Sequence, residues 1–266
     1  MNYKNAIEQR KEFNVNIQLK EKLLNKILTI ITILSAVVAL FIYSTVSIYY
    51  SAEVVGGSMW PTINAEQNIS NNNSLKNEIA YYTNYKTPKK GDIIIVDYEN
   101  AGLTNVDAIK RLIAVGGDTI CYYNGEILVN GKSINEPYLD KAYNYIKQKQ
   151  SKADADHWKE KGYEKSKSNF NNFCENTLNG ILTNTTFTKN YLVDYKDCIK
   201  YNDAINGYVL TIPENYVYFL GDNRGSSNDC SNFGPLEKKY MLVKVDYIVS
   251  YGTSIFSAIW QSLINK

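Results

Sequence analysis

Ser58 and Lys110 are the two side chains whose types and positions suggest a chemical reaction. Ser58 opens the segment 58–62, which reads Ser-Met-Trp-Pro-Thr, and Lys110 precedes Arg111 further along the chain. A serine that attacks a carbonyl group needs a base to take its proton, and histidine is the usual base. The one histidine, His157, lies in a stretch rich in lysine and glutamate, with no motif around it. Either the chain uses no general base or the base is a lysine, and the rest of the sequence favours the lysine.

Lys110 lies in a stretch with the alternation of a β-strand. Side chains along a strand point alternately to its two faces, and those on the lysine's face are Val106, Ala108, Leu112 and Ala114. Burial disfavours an ammonium, so a lysine on this apolar face without a carboxylate partner would have a lowered pKa. Its neutral amine would then act as a general base. On alternation alone, the favoured alternative is an edge-strand lysine whose amine reaches water.

The segment around Ser58 has two interpretations. Gly56 and Gly57 permit a close approach of the backbone, and Pro61 restricts Trp60 to extended conformations. Such a turn can present a hydroxyl beside free backbone N–H groups, as an oxyanion site requires. A tight loop that merely contains a serine fits the same residues equally well.

A membrane anchor is predicted immediately before this segment. Residues 27–50 contain no charged residue and no Asn, Gln, Gly or Pro, and a helix needs about 20 apolar residues to cross a bilayer core. A cleaved secretory signal peptide would have a shorter apolar region that ends in small residues, whereas Tyr50 ends this one. Basic residues precede the span and none follows until Lys76. The positive-inside rule therefore predicts a cytoplasmic tail at 1–26 and an extracytoplasmic domain at 51–266, held at the cell membrane by one span.

The extracytoplasmic part is predicted to be mainly β. Short apolar runs bounded by turn residues indicate strands, and Asn130-Gly131 is a strong hairpin signal. The predicted strands are 93–96, 109–115, 119–123, 126–129, 132–134, 208–212, 216–220 and 243–251. Lysine, asparagine, tyrosine and serine dominate 140–206, which we interpret as an insertion, a cap or exposed subdomain with a polar helix over 142–167. A short amphipathic helix is predicted at 254–264.

Charge and cysteine content narrow the possible partners and bonds. The net charge is +2 and no basic arm carries interleaved aromatic residues, so we expect no nucleic-acid partner. Four cysteines lie outside the predicted anchor, and they permit up to two disulfides. Cys174 and Cys198 both fall in the insertion, where they either form a disulfide or stay free. Cys121 and Cys230 are expected to be free thiols.

Four motifs follow the anchor in a fixed order. They are Gly56-x-Ser58-Met59-x-Pro61-Thr62, Gly91-Asp92-Ile93-Ile94, Ile109-Lys110-Arg111-Leu112-Ile113-x-x-Gly116-Gly117-Asp118 and Gly221-Asp222-Asn223-Arg224-x-x-Ser227-x-Asp229. This series resembles the ordered boxes of bacterial type I signal peptidases. The resemblance covers the anchor and most of the extracytoplasmic part outside the insertion, and four motifs in order are far more specific than any one of them.

The resemblance implies a Ser/Lys dyad protease on an antiparallel β-sheet core, which cleaves signal peptides at the outer face of the membrane. Ser58 matches the nucleophile and Lys110 the general base, and Ser227 matches a hydroxyl that hydrogen-bonds and orients the lysine. The positions that match structural or bracing residues around the site are Gly56, Asp222, Arg224 and Asp229. This chemistry requires no cofactor and no metal, and we expect a monomer.

Two positions depart from the family pattern. Some members carry a serine at the position of Gly56, and its hydroxyl helps the oxyanion hole; glycine leaves that work to backbone N–H groups, chiefly that of Ser58. Members often place an arginine after the aspartate that matches Asp229, where this chain has Cys230 and Ser231. The usual ion pair of that aspartate is therefore expected to be lost or rerouted.

The expected substrates are signal peptides of secreted preproteins, together with the bilayer that holds them. Ser58 comes eight residues after Tyr50, so we expect it near the membrane surface, where a membrane-tethered substrate is concentrated. Signal peptides end in small residues at alternate positions, as in A-x-A. An exposed strand edge with two shallow pockets would recognise that pattern.

Two other functions compete with this interpretation. A self-cleaving repressor-type protease shares the dyad and a related core, but the predicted anchor argues against it. A catalytically inactive or dedicated paralogue would act in the assembly of surface fibres such as pili. The presence of both Ser58 and Lys110 argues against an inactive protein.

Overall fold

The computed structural model describes residues 3–66, 76–180 and 195–264. The chain forms two compact units, Met1–Tyr49 and Tyr50–Lys266. The second unit contains all four motifs.

The first unit is a single helix, α1 (Tyr3–Ile48). Its part Phe13–Ile48 is long and apolar enough to cross a membrane, by length and composition. Hydroxyl side chains in this part donate to carbonyls one turn earlier, as Thr32 does to Leu28 at 2.9 Å. Such bonds satisfy polar groups that lipid cannot. The helix contains nearly all of the predicted anchor and ends at Ile48, because Tyr50 already belongs to the first strand of the second unit.

Two antiparallel sheets make up most of the second unit, which confirms the predicted mainly β fold. The strands in its described residues are β1 (Tyr50–Glu53), β2 (Ile79–Thr83), β3 (Ile93–Val96), β4 (Ala108–Val115), β5 (Thr119–Tyr123), β6 (Glu126–Val129), β7 (Lys132–Ser133), β8 (Ile199–Asn202), β9 (Gly207–Thr211), β10 (Tyr216–Leu220), β11 (Leu236–Glu237) and β12 (Met241–Val249). The larger sheet has the order β1-β2-β12-β3-β4-β10-β11, and the smaller one β7-β6-β5-β9-β8.

All the predicted strands are present, with ends shifted by no more than two residues. The Asn130-Gly131 turn connects β6 to β7, which confirms the predicted hairpin. Four strands were not predicted. Among them, β1 overlaps the end of the apolar span, β8 lies inside the polar insertion, and β11 is only two residues long.

Both sheets contribute to the main hydrophobic core. Leu112 and Phe219 come from the larger sheet, and Ile120 and Leu210 from the smaller one. All four side chains are fully buried. A second, smaller cluster includes Met59 and other residues around the segment that carries Ser58. The core therefore fixes both β4 and the Ser58 segment.

Two helices, α2 (Pro137–Lys149) and α3 (Lys152–Leu178), cover the start of the polar insertion, and α2 begins before residue 140; Glu136 and these two helices are called the helical insertion below. The single polar helix predicted for 142–167 is wrong, because Ser151 is extended and caps α3, accepting a hydrogen bond from the N–H of Asp154 at 3.1 Å. Phe170 and Cys174 of α3 belong to the main core. Residues 181–194 of the predicted insertion lie outside the described residues.

Two short helices complete the fold, α4 (Cys230–Phe233) and α5 (Ile255–Ile264). The second confirms the amphipathic helix predicted near the C-terminus. Its Ile255 and Ala258 are buried, whereas Trp260 is 58% exposed. One face of α5 therefore packs on its own unit.

All four cysteines are free thiols, and three of them are buried. Of the two possibilities for Cys174 and Cys198, the structure has the free pair. Burial raises the pKa of the Cys174 thiol. The protonated thiol therefore behaves as a small apolar group in the core.

Packing of α3 on the core is testable at Phe170, which is fully buried with its ring centroid 5.0 Å from that of Tyr122. We expect Phe170→Ala to lower the free energy of unfolding by about 3–5 kcal/mol, because it leaves a cavity. The matched control Phe256→Ala removes a side chain that is 41% exposed and should cost less than about 1 kcal/mol. Denaturant unfolding of the full-length chain in detergent measures both. Equal losses for the two variants would show that α3 is not part of the core.

Candidate active site

The structure brings Ser58 and Lys110 into contact. Lys110 Nζ lies 3.0 Å from Ser58 Oγ, and its other hydrogen bond is to the carbonyl oxygen of Ile109 at 3.1 Å. Lys110 is in the middle of β4, and Ser58 follows β1. The lone histidine, His157, is exposed on α3.

Apolar neighbours in sequence hold the Ser58 segment in place. Met59 and Ile63 are 2% and 1% exposed, while Ser58 is half-buried. The N–H of Trp60 donates to Gly57 O at 3.1 Å and closes a turn around the serine. Ser58's own N–H donates no hydrogen bond to any residue that the structure describes. This donor is therefore available to an oxygen atom of a ligand.

Gly56 has a φ of +92°. Side-chain-bearing residues rarely adopt this conformation, so a serine here would be strained. Because glycine has no side chain, this residue can offer an oxygen atom of a ligand only its backbone N–H.

Lys110 is almost fully buried, with 4% of its surface exposed. Loss of hydration lowers the pKa of its amine, and the negative charge of Asp229 acts in the opposite direction. The ring of Tyr98 lies beside the amine, 5.6 Å from its centroid. Lys110 forms no salt bridge with the described residues. Burial therefore outweighs the charge of Asp229, and the equilibrium between ammonium and amine shifts toward the amine.

The predicted apolar face around Lys110 is present in β4. Leu112 and Ala114 belong to the main core, and Ala108 packs against it. The inclusion of Val106 was wrong, because Val106 precedes the strand and is 69% exposed. The side chains beside Lys110 on this face of β4, from Ala108 to Ala114, are therefore apolar.

Asp229 is a buried carboxylate that accepts its hydrogen bonds from groups other than Lys110. Its Oδ2 accepts from the N–H of Gly221 at 2.9 Å, and its Oδ1 accepts from the N–H and the hydroxyl of Ser231 at 3.0 and 2.8 Å. Ser231 thus occupies the place of the expected arginine, and Asp229 caps the N-terminus of α4. The carboxylate is rerouted from an ion pair to a helix cap.

Asn223 binds the Ser58 segment from the fourth motif. Its backbone N–H donates to Ser58 O at 3.0 Å, and its side-chain Nδ2 donates to Gly57 O at 2.9 Å. A third bond between the motifs runs from the Thr62 hydroxyl to Asp222 Oδ2 at 2.6 Å. Asn223 was not predicted to have a role, although its position between Asp222 and Arg224 was the available signal.

Gly221 is the point of closest approach between the two motifs. A Cβ at this position would collide with Ser58 O and with the side chain of Ser227, so only glycine fits. The Gly221 carbonyl accepts from Arg224 Nε at 3.1 Å, and its N–H is held by Asp229. Both peptide groups that flank this contact are therefore fixed.

Two buried arginines brace these loops. Arg111 binds Asp222 through two parallel hydrogen bonds, Nε to Oδ1 at 2.8 Å and Nη2 to Oδ2 at 2.6 Å, a bidentate geometry that fixes orientation. Arg224 pairs with Glu136 at the start of the insertion. Asp222 and Arg224 were predicted to brace the site, whereas the sequence analysis missed Glu136.

Ser227 lies beside Gly221, but the predicted hydrogen bond to Lys110 is not formed. The Ser227 hydroxyl is buried and has no partner among the described residues. The amine of Lys110 is instead bonded to Ser58 Oγ and Ile109 O. Ser226, its neighbour, is exposed. A buried hydroxyl without a partner costs about 1–3 kcal/mol, which marks Ser227 as a group with unused hydrogen-bonding capacity.

Residues 24–250 match the family model described as signal peptidase, peptidase S26. The signal peptidase I of Streptococcus pneumoniae serotype 4 is 25% identical over 203 residues, covering 76% of this chain and 83% of that protein. The signal peptidase IB of Staphylococcus aureus strain COL is 29% identical over 220 residues, covering 82% and 86%. A crystal structure of a signal peptidase I from Enterococcus faecalis V583 covers 60% of this chain and 98% of its own at 22% identity; its TM-score of 0.33 is too low to support an argument. The family resemblance of the four motifs is confirmed: this chain belongs to the signal peptidase family of hydrolases, peptidase S26.

Proposed function

We propose that this protein is a membrane-anchored serine endopeptidase that removes N-terminal signal peptides from secreted preproteins. Ser58 is the nucleophile and Lys110 the general base. The observation that carries the proposal is the 3.0 Å contact between Lys110 Nζ and Ser58 Oγ, in a chain of the signal peptidase family. The lowered pKa of Lys110 supplies the neutral amine that a base requires.

The first half of the reaction forms an acyl-enzyme. The lone pair of the Lys110 amine takes the Ser58 proton while Oγ attacks the carbonyl carbon of the scissile peptide bond. The developing oxyanion accepts a hydrogen bond from the Ser58 N–H, which is free among the described residues. The ammonium then gives its proton to the leaving amine, and the C–N bond breaks.

Water completes the cycle by the same route. The neutral amine of Lys110 takes a proton from water, which attacks the ester carbonyl of the acyl-enzyme. The ammonium returns the proton to Ser58 Oγ as the C–O bond breaks. The signal peptide leaves with a new carboxylate, and the dyad is restored.

Ser227 serves as an orienting residue in this scheme. When Lys110 is protonated during turnover, its ammonium carries three N–H donors, and two acceptors, Ser58 Oγ and Ile109 O, are already in contact. The buried hydroxyl of Ser227, with no partner in the described part of the chain, is suited to accept the third. Gly56, Asp222, Arg224 and Asp229 act indirectly, through the backbone conformation of the two motifs.

The membrane orientation and the cleavage pattern are part of the same proposal. One helix is able to span a bilayer, and the basic residues before it place the N-terminus in the cytoplasm and Ser58 outside. Small residues at alternate positions of the substrate, as in A-x-A, would occupy the side-chain pockets of an added strand. The alternative of an inactive paralogue in pilus assembly is not favoured, because an inactive protein would need no contact between Ser58 and Lys110.

Removal of either member of the dyad is expected to abolish cleavage. Ser58→Ala deletes the nucleophile and Lys110→Ala the base, and the double variant should be no worse than either single one, because the two residues act as one unit. Cleavage of a signal-peptide substrate by the full-length protein in detergent measures this. His157→Ala is the control and should keep full activity. Lys110→Ala with more than about a tenth of normal activity would refute the lysine base.

Paired serine variants test the orienting role. Ser227→Ala should lower the cleavage rate roughly 10- to 100-fold, since one hydrogen bond of about 1–3 kcal/mol is lost from the transition state. Ser226→Ala removes an exposed hydroxyl and should be close to neutral. The same substrate assay compares both. A greater loss of cleavage rate with Ser226→Ala than with Ser227→Ala would show that Ser227 does not supply the orienting hydroxyl.

A further inference from the structure

The first residues of the helical insertion contact both arginines that brace the site. Glu136 immediately precedes α2, and Tyr138 lies in its first turn. Glu136 pairs with Arg224, while the ring of Tyr138 lies 3.6 Å from Cζ of Arg111. Two neighbouring positions of the insertion thus reach two different motifs.

Glu136 is linked to Ser58 through Arg224. The guanidinium of Arg224 pairs with Glu136 and also donates from Nε to Gly221 O at 3.1 Å. Gly221 in turn lies against Ser58 O so closely that no side chain fits between them. The orientation of the Arg224 guanidinium therefore fixes the peptide group against which the nucleophile segment rests.

A cavity of about 370 Å³ borders this ion pair, with Glu136, Arg224 and Trp158 in its wall. Side-chain packing is therefore incomplete on that side of Arg224. The carboxylate of Glu136 is the charged partner of the guanidinium on this side. A buried arginine that loses its carboxylate partner is also strongly disfavoured where it stands.

Tyr138 is linked to the dyad through Arg111. Its ring stacks on the guanidinium of Arg111, which binds Asp222 through two hydrogen bonds. Asp222 accepts from the Thr62 hydroxyl at 2.6 Å. Arg111 also follows Lys110 directly in β4. Stacking on an aromatic ring restricts the plane of the guanidinium.

The two links meet in one hydrogen bond. Tyr138 OH donates to Glu136 Oε1 at 2.5 Å. Burial, followed by the charge of Glu136, raises the pKa of Tyr138, so the phenol stays protonated and remains a donor. One tyrosine therefore couples the Arg224–Gly221 contact to the Arg111–Asp222 pair.

We infer that Glu136 and Tyr138 are positioning residues for the proposed Ser58–Lys110 dyad, acting through Arg224 and Arg111. The insertion then contributes to the alignment of the nucleophile with its base in addition to the stability of the fold. The kinetic part of this inference rests on the proposed function.

A double-mutant cycle tests the link through Arg224 on the full-length protein. Glu136→Gln should lower kcat about tenfold and leave KM within about twofold, because substrate contacts are untouched. In an Arg224→Gln background, Glu136→Gln should cause no further loss, since the guanidinium on which Glu136 acts is gone. Unchanged kcat in the single variant, or independent losses in the double variant, would overturn the inference.

Matched tyrosine variants test the coupling hydrogen bond. Tyr138→Phe keeps the ring on Arg111 and removes only the donor to Glu136, and it should lower kcat several-fold, by about 1 kcal/mol of hydrogen bonding. Tyr143→Phe is the control, because its hydroxyl also donates to a carboxylate of the insertion, Asp156 at 2.7 Å, but on an exposed surface. Equal effects of the two substitutions on kcat would overturn the role of Tyr138.

Hydrogen exchange gives a readout that does not depend on proteolysis. The amide of Asn223 donates to Ser58 O at 3.0 Å and that of Asn130 to Thr119 O at 3.0 Å. Glu136→Gln should speed exchange at Asn223 and Gly221 about tenfold through local opening, and leave Asn130 unchanged. Equal rates in the variant and the wild type would overturn the inference. If the wild type cleaves no signal peptide, the proposed function fails, and exchange still decides whether Glu136 positions the loop.

Discussion

Burial of the Lys110 amine, with no ionic partner among the residues that the structure describes, is the constraint on which the rest of the structure depends. Loss of hydration favours the neutral amine, so its pKa is lowered. Between that lowered pKa and the value of about 10.4 in an unfolded chain, folding releases a proton. The lysine therefore costs stability over this range, and the cost shrinks as the pH rises. A buried lysine in contact with a serine hydroxyl is better explained by chemistry than by stability.

In the described part of the chain, the surrounding charges are arranged so that none of them pairs with this amine. Asp229 is satisfied by Gly221 and Ser231, and Asp222 by Arg111 and Thr62. A carboxylate that paired with Lys110 would favour the ammonium and remove the proposed base. The replacement of the expected arginine by Ser231 leaves this arrangement intact, because hydrogen-bond donors at the start of a short helix take over the same carboxylate.

The sequence predicted the parts of the fold that depend on local pattern. Alternation and turn residues located the strands. Alternation alone favoured an edge-strand lysine whose amine reaches water, whereas Lys110 is buried in β4. Local pattern left open whether Ser58 is a reactive hydroxyl, and the resemblance of the four motifs favoured that interpretation. The prediction that Val106 shares the apolar face of Lys110 was wrong, because the strand begins only at Ala108. Ser227 does not hydrogen-bond Lys110 in the structure, where the amine contacts Ser58 Oγ and Ile109 O, a backbone atom with no sequence signal.

Long-range contacts were beyond the reach of the sequence. Glu136 meets Arg224 only because α3 packs on the core and brings the insertion against the fourth motif. The composition of this region indicated a polar subdomain separate from the core, whereas Phe170 and Cys174 bury one face of α3 in the core. The two hydrogen bonds of Asn223 were equally beyond prediction, because their acceptors are backbone oxygens of a segment distant in sequence.

The pH dependence of cleavage tests the central claim most directly. Measured on the full-length protein with one signal-peptide substrate, kcat/KM should rise with pH as the lysine loses its proton, with an apparent pKa well below about 10.4. The rise should then level off while the amine of an ordinary lysine would still be charged. A rate that keeps climbing in step with an unperturbed lysine would contradict the account, because burial would then not have produced a neutral base.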